Sequence, residues 1–587
     1  MNKIWTLAPN YSENQLDTLY NELTKFSKGT QKAIQPAYLI LAKLLLQRGI
    51  TTVKEAVAFN ELTKEKLHDP FLMRNMDAAV NRIMQAVNAS EKIMVYGDYD
   101  VDGTTSVALM VSYLKSLTSN LTYYIPDRYT EGYGISFQGI DTAKTEEAKL
   151  IIALDCGIKA IDKVDYATKL GIDFIICDHH TPGDQLPKAV AVLDPKQKDC
   201  NYPYKELSGC GIGFKLCQAL EQKSTSTSFD LEQLLDLVAI STACDIVPVT
   251  GENRVLASMG LKRINNTPRP SVTALLGEKE PQKQYHISDL VFQAGPKINA
   301  AGRIASGKKS VDLLLATKSD KIKDFATEIN NNNTERKEED KRITEEAISM
   351  LESDSSLKEK NSTVLYQENW HKGVVGIVAS RVIEKYYKPT IILTKSKDDI
   401  IGGSVRSVSG FDVYQALEQC TEEMLQFGGH KYAAGLTLKL SQLDAFRQKF
   451  EQVVTSQMSV PKFTPTIKYD AEIEISAITM QLKSFINKLE PFGPQNMTPT
   501  FVSRNLVTTG NSRAVGMDGL HLKLELTDPN SGVVIPGIAF NFGHFSERII
   551  AGEPIDIAYS IDINYWKGNE TIQLMVKDIK FTDTPTQ

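Results

Sequence analysis

At 587 residues the chain is too long for one compact core, so three or four domains are expected. Its 42% apolar and 24% charged residues are ordinary for soluble globular protein; no run approaches the roughly 20 apolar residues that span a bilayer. The N-terminus lacks the apolar core of a signal peptide, and the seven cysteines are scattered without a Cys-x-x-Cys pair. These features exclude a membrane span, a disulfide framework and a zinc ribbon, and they predict a cytoplasmic protein. The net charge of −6 argues mildly against a nucleic-acid ligand, but a metal site concentrates carboxylates and its cations reverse the local field.

Along the chain, residues 1–75 read as a helical segment expected to pack on the domain that follows. Residues 76–316 alternate short, nearly continuous apolar runs (Lys92-Ile-Met-Val-Tyr, Leu121-Thr-Tyr-Tyr-Ile, Leu150-Ile-Ile-Ala-Leu, Phe174-Ile-Ile-Cys) with helical segments. That alternation is the pattern of a doubly wound, mainly parallel α/β sheet. The Ser/Thr cluster at 224–228 reads as a loop. Residues 317–355 are rich in Lys and Glu and suit a long connecting helix. A smaller α/β segment covers 356–456, with a Gly-rich loop at Gly402-Gly403. From 457 to 587 the alternation of Leu520-His-Leu-Lys-Leu-Glu-Leu and similar runs predicts a small β-barrel of OB type.

Asp98, Asp100 and Asp102 lie between an apolar strand and a helix. Three carboxylates so close repel one another unless solvated, protonated or bridged by cations, and hard divalent metals want oxygen ligands. On this segment alone a solvated turn or helix cap fits as well as a metal site. The pattern recurs, however. Asp155 closes Ile151-Ile-Ala-Leu, Asp178-His179-His180 closes Phe174-Ile-Ile-Cys, and Asp245 follows Ile240-Ser-Thr-Ala-Cys. Ligands of doubly wound sheets bind at the carboxyl ends of strands, and Asp/His ligation without thiolates suits Mn²⁺ or Mg²⁺. Cys156, Cys177 and Cys244 beside these aspartates read as packing residues. Four further segments pair Gly with polar groups able to grip phosphate: Asn299-Ala-Ala-Gly-Arg303, His371-Lys-Gly, Gly402-Gly-Ser404-Val-Arg406 and Gly428-Gly-His430.

Taken in order, Asp98-Tyr-Asp-Val-Asp-Gly, Asp155-Cys-Gly, Asp178-His-His and the Asp245 segment resemble the four motifs of the DHH phosphoesterase superfamily. His371-x-Gly-Val-Val-Gly, Gly402-Gly-Ser-x-Arg406 and Phe427-Gly-Gly-His430 resemble its DHH-associated domain, and Tyr469-Asp-Ala-Glu with Leu489-Glu-Pro-Phe-Gly493 resembles the opening of a C-terminal OB region. The order over nearly the whole chain is similar to the single-strand-specific exonucleases of that superfamily.

The resemblance implies hydrolysis of single-stranded DNA from the 5′ end to mononucleotides, in recombination and repair, with two Mn²⁺ or Mg²⁺ ions. It implies Asp100, Asp102, Asp155, His179 and Asp245 as metal ligands, Asp155 bridging, with Asp98 as a further ligand or supporting carboxylate. Asp155, His180, Asp100 and Asp102 are the implied catalytic set. Arg128, Arg303, His371, Ser404, Arg406 and His430 are the implied contacts to substrate phosphates. A helicase and a single-strand-binding protein are implied partners of a monomer.

Two departures stand out: Tyr96 occupies a position where many members carry His, and Gly493-Pro-Gln-Asn496-Met497 replaces Gly-x-Gly-Asn-Pro. Two other readings use the same motifs, a small-substrate phosphodiesterase and a non-catalytic single-strand binder. The barrel argues against the first and the intact ligand set against the second.

Overall fold

The computed structural model describes residues 3–8, 11–26, 35–224, 229–277, 284–458, 463–529, 531–566 and 568–582. Positions 225–228 of the expected loop lie outside them. The chain forms two compact units, one of Leu67–Pro465 and one that combines Asn2–Lys66 with Thr466–Gln587. Among the described residues no helix is long and apolar enough to cross a membrane.

The first unit opens on a five-stranded sheet of β1 (Lys92–Gly97), β2 (Leu121–Tyr124), β3 (Ala148–Leu154), β4 (Asp173–Cys177) and β5 (Ala191–Leu193). Every pairing is parallel and the order is β2-β1-β3-β4-β5. Both faces are covered, which is why the strands read as apolar runs rather than alternating ones. One face packs α1 (Val101–Leu114), α2 (Gly209–Lys223) and α3 (Leu235–Cys244); the other packs the helices Phe137–Thr145 and Ile161–Lys169. The order reverses between β1 and β3, the crevice where doubly wound folds bind their ligands. Gly97, Leu154 and Cys177 stand in register across β1, β3 and β4. The residues that follow them, Asp98, Asp155 and Asp178, therefore leave the sheet side by side.

Beyond this sheet lie α4 (Gly295–Ile304) and the 35-residue α5 (Ser319–Ser353). The buried stripe of α5 runs Ile322, Ala326, Ile329, Asn333, Arg336, Asp340, Ile343, Ala347, Leu351, at the spacing of one helix face. It is apolar at both ends and polar in the middle. The second sheet contains β6 (Thr363–Tyr366), β7 (Thr390–Lys397), β8 (Ile400–Arg406), β9 (Gln426–His430) and β10 (Ala433–Lys439), in the order β9-β10-β8-β7-β6. Only β6 and β7 pair in parallel. Helix α6 (Val375–Tyr386) packs against α5 with Val378, Ala379 and Val382.

In the second unit the strands Phe501–Thr508, His521–Thr527, Val534–Ala539, Ile555–Trp566 and Asn569–Phe581 close into a ring, the last contact being Val507 against Thr527. A closed five-stranded barrel of this kind is the OB architecture. The N-terminal segment corrects an expectation in its larger part: up to Lys66 it shares its core with this barrel, while 67–75 stay with the first unit. Leu19, Leu23, Ile40 and Leu44 join Leu482, Phe485 and Phe501, and the strand Ile4–Leu7 pairs in parallel with Thr466–Tyr469. Helical periodicity announces a buried face without naming what buries it. The altered Gly493–Met497 turn works structurally: Asn496 donates to the carbonyls of Leu489 and Pro491 (both 2.9 Å), and Arg48 donates to Asn496 Oδ1 at 2.7 Å.

Candidate active site

At the switch between β1 and β3 the structure gathers Asp98, Asp100, Asp102, Asp155, Asp178, His179, His180 and Asp245. Asp245 is the exception to the strand-end expectation, since it caps the C-terminus of α3. His179 Nε2 lies 3.2 Å from Asp155 Oδ1, 3.4 Å from Asp245 Oδ2 and 3.8 Å from Asp102 Oδ2. Two overlapping groups, Asp155-His179-His180 and Asp102-His179-Asp245, each bring one potential ligand atom per residue within 4.8 Å of the others. Asp98 and Asp100 stand beside these groups rather than in them. Asp100 caps α1 through Gly103 N–H at 3.0 Å, and Asp98 accepts from Gly134 N–H at 3.3 Å.

The atoms left over fit a divalent cation. Asp98 Oδ2, Asp155 Oδ1, Asp245 Oδ2 and both ring nitrogens of His179 are buried without a hydrogen-bond partner. Buried polar atoms without partners are costly and call for an explanation. Burial first, then the charges of Asp102, Asp100, Asp245 and Asp178, push the Asp155 carboxyl well above the usual range. Burial with Asp100 does the same to Asp98, and burial with Asp102 and Asp100 to Asp245. Burial lowers His179, which keeps its ring neutral and able to ligate. A cluster of repelling carboxylates and a neutral imidazole is the donor set that hard divalent ions take.

Supports from several elements orient this set. Asp102 accepts from Gly209 N–H at 2.6 Å and Cys210 N–H at 2.8 Å at the start of α2, and from the Ser241 hydroxyl of α3 at 2.7 Å. A Cβ on Gly209 would stand 2.6 Å from Asp155 Cβ and 3.1 Å from Asp102 Oδ2. Gly209→Ala is therefore expected to weaken Mn²⁺ affinity by about 10–100-fold, as loss of ligand support does elsewhere, with helical content retained; titration calorimetry checks it.

Asp178 accepts the N–H groups of Ile158 (2.8 Å), His179 (2.8 Å) and His180 (3.1 Å), and His180 Nδ1 at 2.7 Å. Burial opposes its charge, but these bonds outweigh it and hold Asp178 below its ordinary value. Burial likewise opposes a charged His180, and Asp178, Asp102 and Asp100 overcome it and raise the imidazole. The Tyr133 hydroxyl lies 3.1 Å from the Asp155 carbonyl oxygen and 3.2 Å from His180 Nε2. A tyrosine that donates to the carbonyl accepts from a protonated Nε2, which agrees with the raised imidazole.

Tyr133, Ser241 and Asp194 escaped the sequence reading. Asp194 follows β5 as Asp155 follows β3, is fully buried, and is pushed up to about 7, chiefly by burial, with Asp178 adding to the shift. The short run Ala191-Val-Leu before it carried the same signal. Tyr96 is no ligand: it stacks on Tyr124 at 5.3 Å and its hydroxyl meets Gly134 O and Ser136 N–H, both at 3.1 Å. Cys156 and Cys177 are buried as expected, and Cys244 partly so.

The proposed phosphate contacts come from the turn after β2, helix α4, the turn before α6 and the second sheet. Arg128 lies over the Tyr99 ring at 4.9 Å. Arg303 Nη1 donates to Gly373 O at 2.8 Å, the Tyr129 hydroxyl donates to Arg303 O, and His371 Nδ1 accepts from Gly373 N–H at 3.1 Å. Burial, then the nearby Arg128, Arg406 and Arg336, lower Arg303 to about 10. Ser404 and Arg406 share a face of β8, and His430 joins that face through Ala433, which pairs with both Arg406 and His430.

Three of the four Gly-rich segments are not loops, which corrects the expectation at Gly402-Gly403. They lie in β8, β9 and α4, where glycine allows close backbone approach: a Cβ on Gly403 would overlap Ile392 O. Only His371-Lys-Gly is a turn ahead of α6.

Comparison with known proteins agrees with this architecture. Residues 92–242 match the DHH family N-terminal domain, 359–456 the DHHA1 domain and 469–578 the RecJ OB domain. The single-stranded-DNA-specific exonuclease RecJ of Bacillus subtilis is 37% identical over 92% of this chain and 67% of its own length. That of Salmonella typhimurium is 34% identical over 92% and 95%. The crystal structure of RecJ in complex with Mn²⁺ from Thermus thermophilus has the same fold, with a TM-score of 0.80 at 22% identity over 99% of this chain and 80% of that one. A crystal structure of exonuclease RecJ bound to manganese gives 0.57 at 27% identity over 66% and 96%. With three domain models in order and a relative matched over nearly its whole length, the chain belongs to the RecJ family of the DHH phosphoesterases.

Proposed function

We propose that this protein is a metal-dependent single-stranded-DNA exonuclease that works from the 5′ end and releases mononucleotides, in recombination and repair. The observation that carries the reading is the set of buried, unpartnered ligand atoms on Asp98, Asp155, His179 and Asp245. Asp102, Asp155, His179 and Asp245 would hold the Mn²⁺ or Mg²⁺ ions, with Asp98 and Asp100 as further carboxylates beside them. Bound there, the cations would activate water and offset charge on the phosphate.

The chain's own residues do the rest. Asp178 orients His180 and, against burial, raises its imidazole, so Nε2 can donate to a phosphate oxygen in place of Tyr133. Arg128, Arg303 and Arg406 hold the strand's phosphates, with Ser404, His371 and His430 around them. The closed barrel of the second unit suits long single strands better than dinucleotides. The family resemblance adds to this reading a cytoplasmic location, a helicase and a single-strand-binding protein as partners, and a monomer as the working form.

The test uses end-labelled single-stranded DNA with Mn²⁺ and the full chain. The expected first product is a 5′-labelled mononucleotide. A 3′-first ladder would overturn the polarity, and cleavage of dinucleotides with long strands left intact would overturn the substrate.

A further inference from the structure

Immediately after Asp245 the backbone does something unusual. Ile246 adopts φ +60°, a region β-branched residues avoid, and its side chain is 73% exposed. Such outliers persist where surrounding structure enforces them, and they cluster at ligand sites. Across from it a π-turn runs over Leu290–Ala294, closed by Gly295 N–H onto Leu290 O, and it presents Phe292 at 77% exposure. Single π-turns inserted in helices are likewise frequent at functional sites.

The two segments are pinned together at Cys244. Its thiol donates to Leu290 O at 3.6 Å, and a Cβ on Gly295 would stand only 2.7 Å from Cys244 Sγ. The exposed Ile246 thus follows a metal-ligand position directly, and the exposed Phe292 belongs to the segment pinned against Cys244. The orientation of Phe292 follows from the helix it opens. Leu290, Ala294, Ile298 and Ala301 are buried, while Phe292, Pro296, Asn299 and Arg303 recur at steps of four, three and four on the less buried face. Arg303 on that face reaches Gly373 and lies near Arg128 and Arg406, so the face is turned toward the arginine cluster. Phe292 stands about 16 Å of helix rise from Arg303.

We propose that Phe292 is an apolar platform on which one base of the bound single strand stacks, separate from the arginine grip on its phosphates. The proposal rests on the exonuclease reading and adds a base contact to it. An aromatic face takes any base, because every base presents a π-surface, so the contact aids binding without reading sequence.

The test uses the full-length enzyme with Mn²⁺ and 5′-phosphorylated oligonucleotides that carry one abasic residue at successive positions. One abasic position is expected to raise the wild-type KM about tenfold, within the range of a lost base–aromatic stack. Phe292→Ala is expected to raise KM about tenfold on intact strands and to lose sensitivity at that same position, with the effect on KM rather than kcat. Phe292→Tyr is expected to restore both the KM and the abasic sensitivity. An Ala variant with wild-type KM, or with the full abasic pattern retained, would overturn the platform while wild-type degradation of intact strands leaves the exonuclease reading standing. A wild-type enzyme that does not degrade intact strands would overturn both.

Discussion

Asp155→Asn is expected to abolish DNA hydrolysis, by about a thousandfold or more, while making the metal-free protein more stable. Asp155 is fully buried, its Oδ1 has no hydrogen-bond partner although His179 Nε2 lies 3.2 Å away, and four other aspartates face it. In the absence of cations this carboxyl, with those of Asp98 and Asp245, is held well above the ordinary range, first by burial and then by like charge. The sign follows by linkage. A carboxyl whose folded value exceeds its unfolded one contributes stability below the unfolded value, near 4, and loses it as pH rises through the folded value. The metal-free protein should therefore weaken from mildly acid pH toward neutrality, and Mn²⁺, which selects the deprotonated cluster, should raise the melting temperature more at neutral pH than at acid pH. The Asn variant removes one of the crowded charges. Its metal-free midpoint should rise by about 2–4 °C, the shift that about 1 kcal/mol produces in a large domain, and its response to Mn²⁺ should nearly vanish. Thermal scans across pH with and without Mn²⁺ check all three. A midpoint that falls in the metal-free state would mean that Asp155 has a structural partner.

Much of this site was legible because a parallel sheet converts sequence into geometry. Once Lys92-Ile-Met-Val-Tyr, Leu150-Ile-Ile-Ala-Leu and Phe174-Ile-Ile-Cys are strands, their ends must align, and the register of Gly97, Leu154 and Cys177 brings Asp98, Asp155 and Asp178 together. Contacts through space left weaker marks. Ser241 sits buried in a mostly apolar helix, and a hydroxyl in that setting was the available hint of a hydrogen bond, but nothing in the sequence pointed to Asp102. Tyr133 lies in a loop whose path depends on Tyr96 and Glu131 holding Ser136, so its approach to His180 has no periodic signature. The N-terminal helices advertised an apolar face, and either α/β domain or barrel could have covered it. Gly402-Gly403 read as a loop because sequence shows the residue's freedom, whereas at Gly403 in β8 its small size is what the packing uses. The polar middle of α5 is the same lesson reversed. Asn333, Arg336 and Asp340 broke the apolar stripe of a helix read as a solvated connector, and Arg336 proves to lie close enough to lower Arg303.

Arg303→Met should produce the mirror image of the aspartate result at the other pole of the site. Among the described residues none of Arg128, Arg303 and Arg406 forms an ion pair, and Arg303 is lowered to about 10 by burial and by the neighbouring guanidiniums. Cations crowded together without an ion pair await an anion, as the clustered carboxylates await cations. Methionine keeps much of the side-chain volume and removes the charge. The expected kcat/KM on single-stranded DNA falls about 100-fold, the scale of truncating one partner of a desolvated charged hydrogen bond. The slope of log affinity against log salt should shrink by about one, since one phosphate contact is lost. Mn²⁺ affinity should stay at the wild-type value, because Arg303 touches none of the ligands, and the melting temperature without DNA should hold or rise. A lower melting temperature with DNA binding intact would instead make Arg303 a clamp whose work ends at Gly373. The two substitutions together ask whether instability was retained at both poles for function, and a free protein that gains stability from each, while losing activity from each, would show that it was.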